Sequence, residues 1–222
     1  MKRFSEYRAF TSQIYRIIII LVFISLLGVG FFSDQALGFT GAFIVTAFSS
    51  TVTIFLDYFI FGGVSARKQR GMELVKSSFK GRELLEKALK TDMYIKAFIN
   101  LSGFIGFLLA EIVFSEEGLS PLAIILFLIL YPITNLTSRI ILIIARRFAV
   151  SMASQVFITY LASMLNTLLL LTISFLIPLT DEGFNIILIV PVVIIEALSI
   201  LTATLLLKDC IKGYNSSFYD IV

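Results

Sequence analysis

The chain contains no histidine and no tryptophan, and only one cysteine, Cys210, among its 222 residues. Without imidazole and with a single thiol there is no disulfide framework, no zinc ligand set and no histidine general base, so much enzyme chemistry falls away. Charge is also scarce. Asp, Glu, Lys and Arg make up 15% of the residues, whereas 58% are hydrophobic and the mean hydropathy is +0.98. That balance is too apolar for a soluble domain and suits several membrane spans. No internal repeat, low-complexity segment or linker interrupts the sequence, so residues 1–222 read as one membrane domain.

Uninterrupted apolar sequence is what the chain has in quantity. Six runs reach the roughly 20 residues that cross a hydrocarbon core: about Ile14 to Phe32, Leu37 to Phe61, Ala97 to Phe114, Pro121 to Ala145, Met152 to Ile177 and Phe184 to Leu207. Charge orients them. With the N-terminus inside, all 18 Lys and Arg fall on the inner side, and the outer turns hold only acids: Asp34, Glu116 with Glu117, and Asp181 with Glu182. The positive-inside rule therefore selects an all-α, six-span integral membrane protein of the plasma membrane with both termini cytoplasmic. Pro121 behind Ser120 starts span four and Pro178 closes span five, while Pro132 and Pro191 are expected to kink their spans. The end of span four, Arg139 to Arg147, is expected to project beneath the bilayer, because its three arginines would otherwise sit in hydrocarbon.

Two polar stretches flank this pattern. Residues 1–13 carry Lys2, Arg3 and Arg8, with Phe4, Tyr7 and Phe10 at helical spacing, and predict an interfacial amphipathic helix. The apolar run that follows is too long for a signal peptide, and no small-residue cleavage site comes after it. The second stretch, residues 62–96, carries nine Lys or Arg. It predicts two helical pieces, about Ser65 to Ser77 and Gly81 to Met93, bent at residues 78–81. In the second piece Leu84, Leu85, Ala88 and Leu89 share one face, and Glu83 with Lys87 and Glu86 with Lys90 form i,i+4 pairs on the other. Such a helix either lies flat on an anionic leaflet or docks onto a protein.

The loop carries a resemblance. Ala66-Arg67-Lys68-Gln69-Arg70-Gly71-Met72-Glu73-Leu74, then Ser77-Ser78-Phe79, then Arg82-Glu83-Leu84-Leu85 and Lys87, is similar to the loop after the second span in permeases of type-two ABC exporters. Met72 stands where Thr is usual, Glu73 comes one place early, and Phe79 replaces a Pro. In that family the loop holds a coupling helix that fits a cleft of the ATPase subunit. The resemblance thus implies coupling roles for Arg67, Arg70, Gly71, Met72, Glu73, Leu74, Ser77, Ser78 and Phe79. It also implies an assembly of two permease chains, identical or related, with two ATPase subunits. No phosphate-binding loop of the G-x-x-x-x-G-K-[ST] type occurs, so ATP and Mg would be held by the ATPase and this chain needs no cofactor. Small Gram-positive peptide exporters of this kind, including lantibiotic-immunity and phenol-soluble-modulin exporters, are similar in size. With 22 Phe and few charges in the spans, a cavity between two such subunits would suit amphipathic or hydrophobic cargo. No partner of nucleic-acid type is implied.

Two other readings compete. Gly63-Val64-Ser65-Ala66-Arg67 echoes the core of CDP-alcohol phosphotransferases, but Gly62 stands where that family has a metal-binding Asp, and the later Gly and Asp positions are absent. The membrane subunit of a vitamin importer is also small and six-span, yet lacks a long basic loop. Within the spans, Glu196 is an intramembrane carboxylate with no Lys or Arg at its depth, and such a group is expensive. It reads either as a cavity or dimer-seam residue or as a protonated acid bonded to Asn100 or Asn166. The stripe Thr46, Ser49, Ser50, Thr53 and Asp57, and the pair Ser199 and Ala203, read first as glue between helices and second as cavity lining.

Overall fold

The computed structural model describes residues 11–60, 80–115, 118–148, 152–176 and 189–216, and every regular element among them is helical. The helices are α1 (Gln13–Leu37), α2 (Gly41–Ile60), α3 (Gly81–Phe114), α4 (Pro121–Phe148), α5 (Met152–Leu176) and α6 (Ile189–Ser216), with a 3₁₀ turn, Gly38–Thr40, between the first two. Three helical stretches are long and apolar enough to cross a membrane: Gln13–Leu56, Gly81–Phe114 and Pro121–Ile144. The chain is a helical membrane protein.

The first of those stretches is 44 residues long, and its sequence contains its own bend. Gly38 has φ 54°, a left-handed conformation that glycine adopts without steric cost, and its N–H caps the carbonyl of Asp34. Beyond it the chain folds back: Tyr15 at the start of α1 shares a buried cluster with Leu56 near the end of α2. Asp34 was expected in an outer turn. It is instead in the last turn of α1, only 8% exposed, because the hairpin places the start of α2 over it.

Caps come from the expected residues. Ser12 Oγ accepts the Tyr15 N–H at 3.2 Å to start α1, and Ser120 Oγ accepts the Ala123 N–H at 3.1 Å ahead of Pro121, whose missing N–H is harmless at that position. Pro132 does fall inside α4. Pro191 likewise belongs to α6.

In lipid, apolar burial gives helices little reason to associate, so small residues and polar bonds must hold the bundle. Both are present. A β-carbon on Gly30 would collide with the backbone of Gly103, and one on Gly106 with the carbonyl of Leu27, so α1 and α3 touch backbone to backbone. The two helices run parallel, with Phe23 stacked on Phe98 at 5.3 Å and Phe31 edge-on to Phe114 at 5.4 Å. Pairs between the other helices, Asn100 with Asn135, Ser50 with Asn166 and Arg139 with Ser199, fit the same scheme. Second contacts fix the directions: Val45 at Gly103 besides Thr53 at Asn100, Phe127 at Phe104 besides Tyr131 at Ala97, Ile54 clustered with Ala162 besides Thr51 at Thr167, and Leu142 clustered with Leu206 besides Arg139 at Ser199, so α1, α3 and α5 run one way and α2, α4 and α6 the other. The outer faces of α1, α5 and α6 are apolar and bare: Ile14, Ile17 and Ile24, Phe157 and Leu165, and Val193 and Ile200 are all more than half exposed. In water such a surface would aggregate; in a bilayer it is satisfied.

Candidate functional site

The most polar part of the interior lies on α3, where Asp92, Lys96 and Asn100 follow at i, i+4, i+8 and therefore share one face. All three are buried. Lys96 Nζ meets Asp92 Oδ2 at 2.5 Å, with side chains 8% and 4% exposed. One turn further on, the Thr53 hydroxyl of α2 can donate to Oδ1 of Asn100 or to the carbonyl of Ser49. Asn100 Nδ2 donates to Asn135 Oδ1 at 3.0 Å, and Asn135 Nδ2 donates to the Tyr131 carbonyl at 3.2 Å. The Tyr131 hydroxyl returns to the Ala97 carbonyl at 3.2 Å. A continuous polar chain thus ties α2, α3 and α4 together.

Arg139 completes the arrangement from the other side. Its Nη1 donates to the Ser199 carbonyl at 2.6 Å and to Ser199 Oγ at 2.9 Å. The sequence reading sent Arg139 below the bilayer with Arg146 and Arg147. The residue instead turns into the bundle and is half-buried, because α6 offers it a small residue with two acceptors. Thr53, Asp92, Lys96, Asn135, Ser138 and Arg139 enclose a cavity of about 20 Å³, the room of a single water molecule. Beside it an open cleft of about 370 Å³ runs between α3, α4 and α6, with Lys90, Asn135, Arg139 and Ser199 among its walls.

The charged start of α3 is also partly corrected. Residues 81–96 were expected as part of a loop, with an amphipathic helix laid on a leaflet or docked to a partner. They form one 34-residue helix with the third span. Leu85, Ala88 and Leu89 pack in the cluster of Tyr15, Leu26, Leu56 and Ile99, so the apolar face is already covered by α1 and α2. The polar face is as expected, with Glu83 to Lys87 and Glu86 to Lys90 each at 2.7 Å.

The other anticipated residues are placed as follows. Ser49 and Thr53 are buried, with Ser49 against Gly103 and Thr53 in the polar chain. Asp57 belongs to α2 and Glu196 to α6, but their side chains lie outside the described residues. Asn166, suggested as a partner for Glu196, donates to Ser50 Oγ at 3.1 Å. Arg67, Arg70, Gly71, Met72, Glu73, Leu74, Ser77, Ser78 and Phe79 lie outside the described residues, as does the interfacial segment 1–10. Sequence reasoning missed the Asp92–Lys96–Asn100 face, although its i, i+4, i+8 spacing was available. Comparison with protein-family models, with curated proteins and with solved structures returns no match for this chain.

Proposed function

We propose that the chain is the six-span permease subunit of an ATP-driven exporter of the type-two ABC kind, carrying amphipathic or hydrophobic cargo and powered by a separate ATPase. The alternating directions of α1 to α6 support six crossings, and the basic loop between the second and third supports a cytoplasmic docking element. One observation carries the reading: α3 is a single helix from Gly81, where the basic loop ends, to the buried polar face at Asp92, Lys96 and Asn100. At about 1.5 Å per residue, a push at Gly81 reaches Asn100 roughly 28 Å away without a hinge. There it acts on the seam with α4, next to the cleft. A loop joined to the bundle in this way transmits force.

The test is the ATP hydrolysis rate of the reconstituted complex compared with its ATPase subunit alone. Leu74→Asp and Glu73→Ala are expected to bring the rate down to that of the free ATPase, whereas Lys76→Glu leaves it elevated. A surface anchor depends on charge instead, at about 1 kcal/mol per basic residue. Normal rates in the first two variants together with failure of the charge reversal would contradict the permease reading.

A further inference from the structure

We infer that the end of the bundle where α1 and α3 both terminate binds a hard divalent cation, held between the carboxylates of Asp34 and Glu111. This rests on the packing of α1 against α3 and not on the transport reading. The register brings the two acids together. The helices run parallel, and the backbone of Gly30 lies so close to that of Phe107 that a β-carbon on the glycine would stand 2.8 Å from the Phe107 nitrogen. Asp34 and Glu111 each follow four residues later, one turn on and on the same faces. Phe31 and Phe114 keep the helices in contact there, with ring centroids 5.4 Å apart, and Glu111 is close enough for its charge to act on Asp34.

No cation of the chain answers this charge among the described residues. Asp34 is 8% exposed, and its Oδ1 is buried without a hydrogen-bond partner among them. A carboxylate oxygen in that state is costly unless it is paired or coordinates a metal. Each acid also lies in the last turn of its helix, Asp34 ahead of the end of α1 at Leu37 and Glu111 ahead of the end of α3 at Phe114. Helix C-termini carry partial negative charge, so two carboxylates and two helix ends of the same sign converge. Neither last turn holds a basic residue. The sequence offers none nearby: no Lys or Arg occurs between Arg16 and Arg67 or between Lys96 and Arg139, whereas Glu116 and Glu117 follow α3 directly. A single proton would cancel one charge; a divalent ion cancels both and takes the orphan oxygen as a ligand. Carbonyls left free at the two helix ends, with water, can fill the rest of its oxygen shell. With only two carboxylates the site is weak, with a dissociation constant on the order of 0.1–1 mM, the range of extracellular calcium modules.

The experiment is equilibrium dialysis against radioactive Ca2+ together with thermal unfolding, at fixed neutral pH. The sample is the full chain in the assembly that purifies from membranes in mild detergent, stripped first with chelator, and NaCl at matched ionic strength is the control. Ca2+ is expected to bind and to raise the melting temperature with a midpoint on the order of 1 mM, and NaCl to do neither. Asp34→Asn should abolish both effects while unfolding at a higher temperature than the ion-free parent, because a buried charge is gone. Glu111→Gln, at a half-buried position, should weaken binding in the same way even if Asp34→Asn fails to fold. Glu86→Gln, which removes an acid from the far end of α3, should leave binding unchanged. A Ca2+ response no larger than that of NaCl, full Ca2+ binding by Asp34→Asn or Glu111→Gln, or a melting temperature that rises on acidification and not with Ca2+ would each overturn the proposal.

Discussion

At the scale of single residues, glycine and asparagine matter most in this bundle, and they matter through contact rather than hydrophobicity. Gly106 lets α3 approach the Leu27 carbonyl of α1, whereas a β-carbon on Gly28, in the same α1, meets nothing within 4 Å. The two positions therefore respond differently to one methyl group. Gly106→Ala is expected to lower the melting temperature in detergent, because a rigid backbone must move, and Gly28→Ala to leave it level or raise it through helix propensity, worth about 0.5–1 kcal/mol. Differential scanning fluorimetry on the pair checks this, and a harmless Gly106→Ala would mean that α1 and α3 are further apart than described. None of this was legible in the sequence, since a glycine in an apolar run gives no sign of which neighbour it faces. The hydroxyl stripe of α2 was legible as glue, and Ser50 and Thr53 do meet Asn166 and Asn100 of neighbouring helices, whereas Thr46 bonds back to the Ala42 carbonyl of its own helix. What the pattern could not say is that Thr53 meets Asn100, a contact between residues 47 apart in sequence.

At the scale of elements, α3 is where sequence and structure differ most. Hydropathy divides Gly81–Phe114 into a charged loop segment and an apolar span, but no glycine or proline lies between Arg82 and Ser102, so nothing breaks the helix at the boundary. Lys96 thus reads as the end of a loop while lying 7% exposed inside the bundle, paired to Asp92. A buried pair broken on one side leaves an uncompensated charge, at a cost of about 3–5 kcal/mol. Lys96→Met is therefore expected to reduce the amount of folded chain recovered from membranes, and adding Asp92→Asn to restore part of it. The readout is size-exclusion yield in detergent. A single variant as stable as the parent would show that the pair is exposed to water. Arg139 illustrates the same limit: its position suggested a cytoplasmic projection, and only the presence of Ser199 on a helix 60 residues later turns it inward.

At the scale of the whole molecule, the membrane class, the helical architecture and the hairpin bounded by Gly38 follow from apolar run lengths and turn chemistry, which depend on local sequence. The polar chain, the cleft and the fusion of the loop helix with the third span depend on which helices become neighbours. The basic segment that would meet an ATPase is followed directly in sequence by α3, which continues into the polar interior. The function proposed for the chain therefore depends on a partner. The most direct measurement is isolation of the tagged full chain from its native membrane in mild detergent, with the co-purifying proteins identified and quantified by mass spectrometry. The permease reading predicts an ATPase bearing a phosphate-binding loop, present at one copy per permease chain and released by Leu74→Asp. Recovery of the intact chain with no such ATPase, under conditions that preserve other membrane complexes, would contradict it.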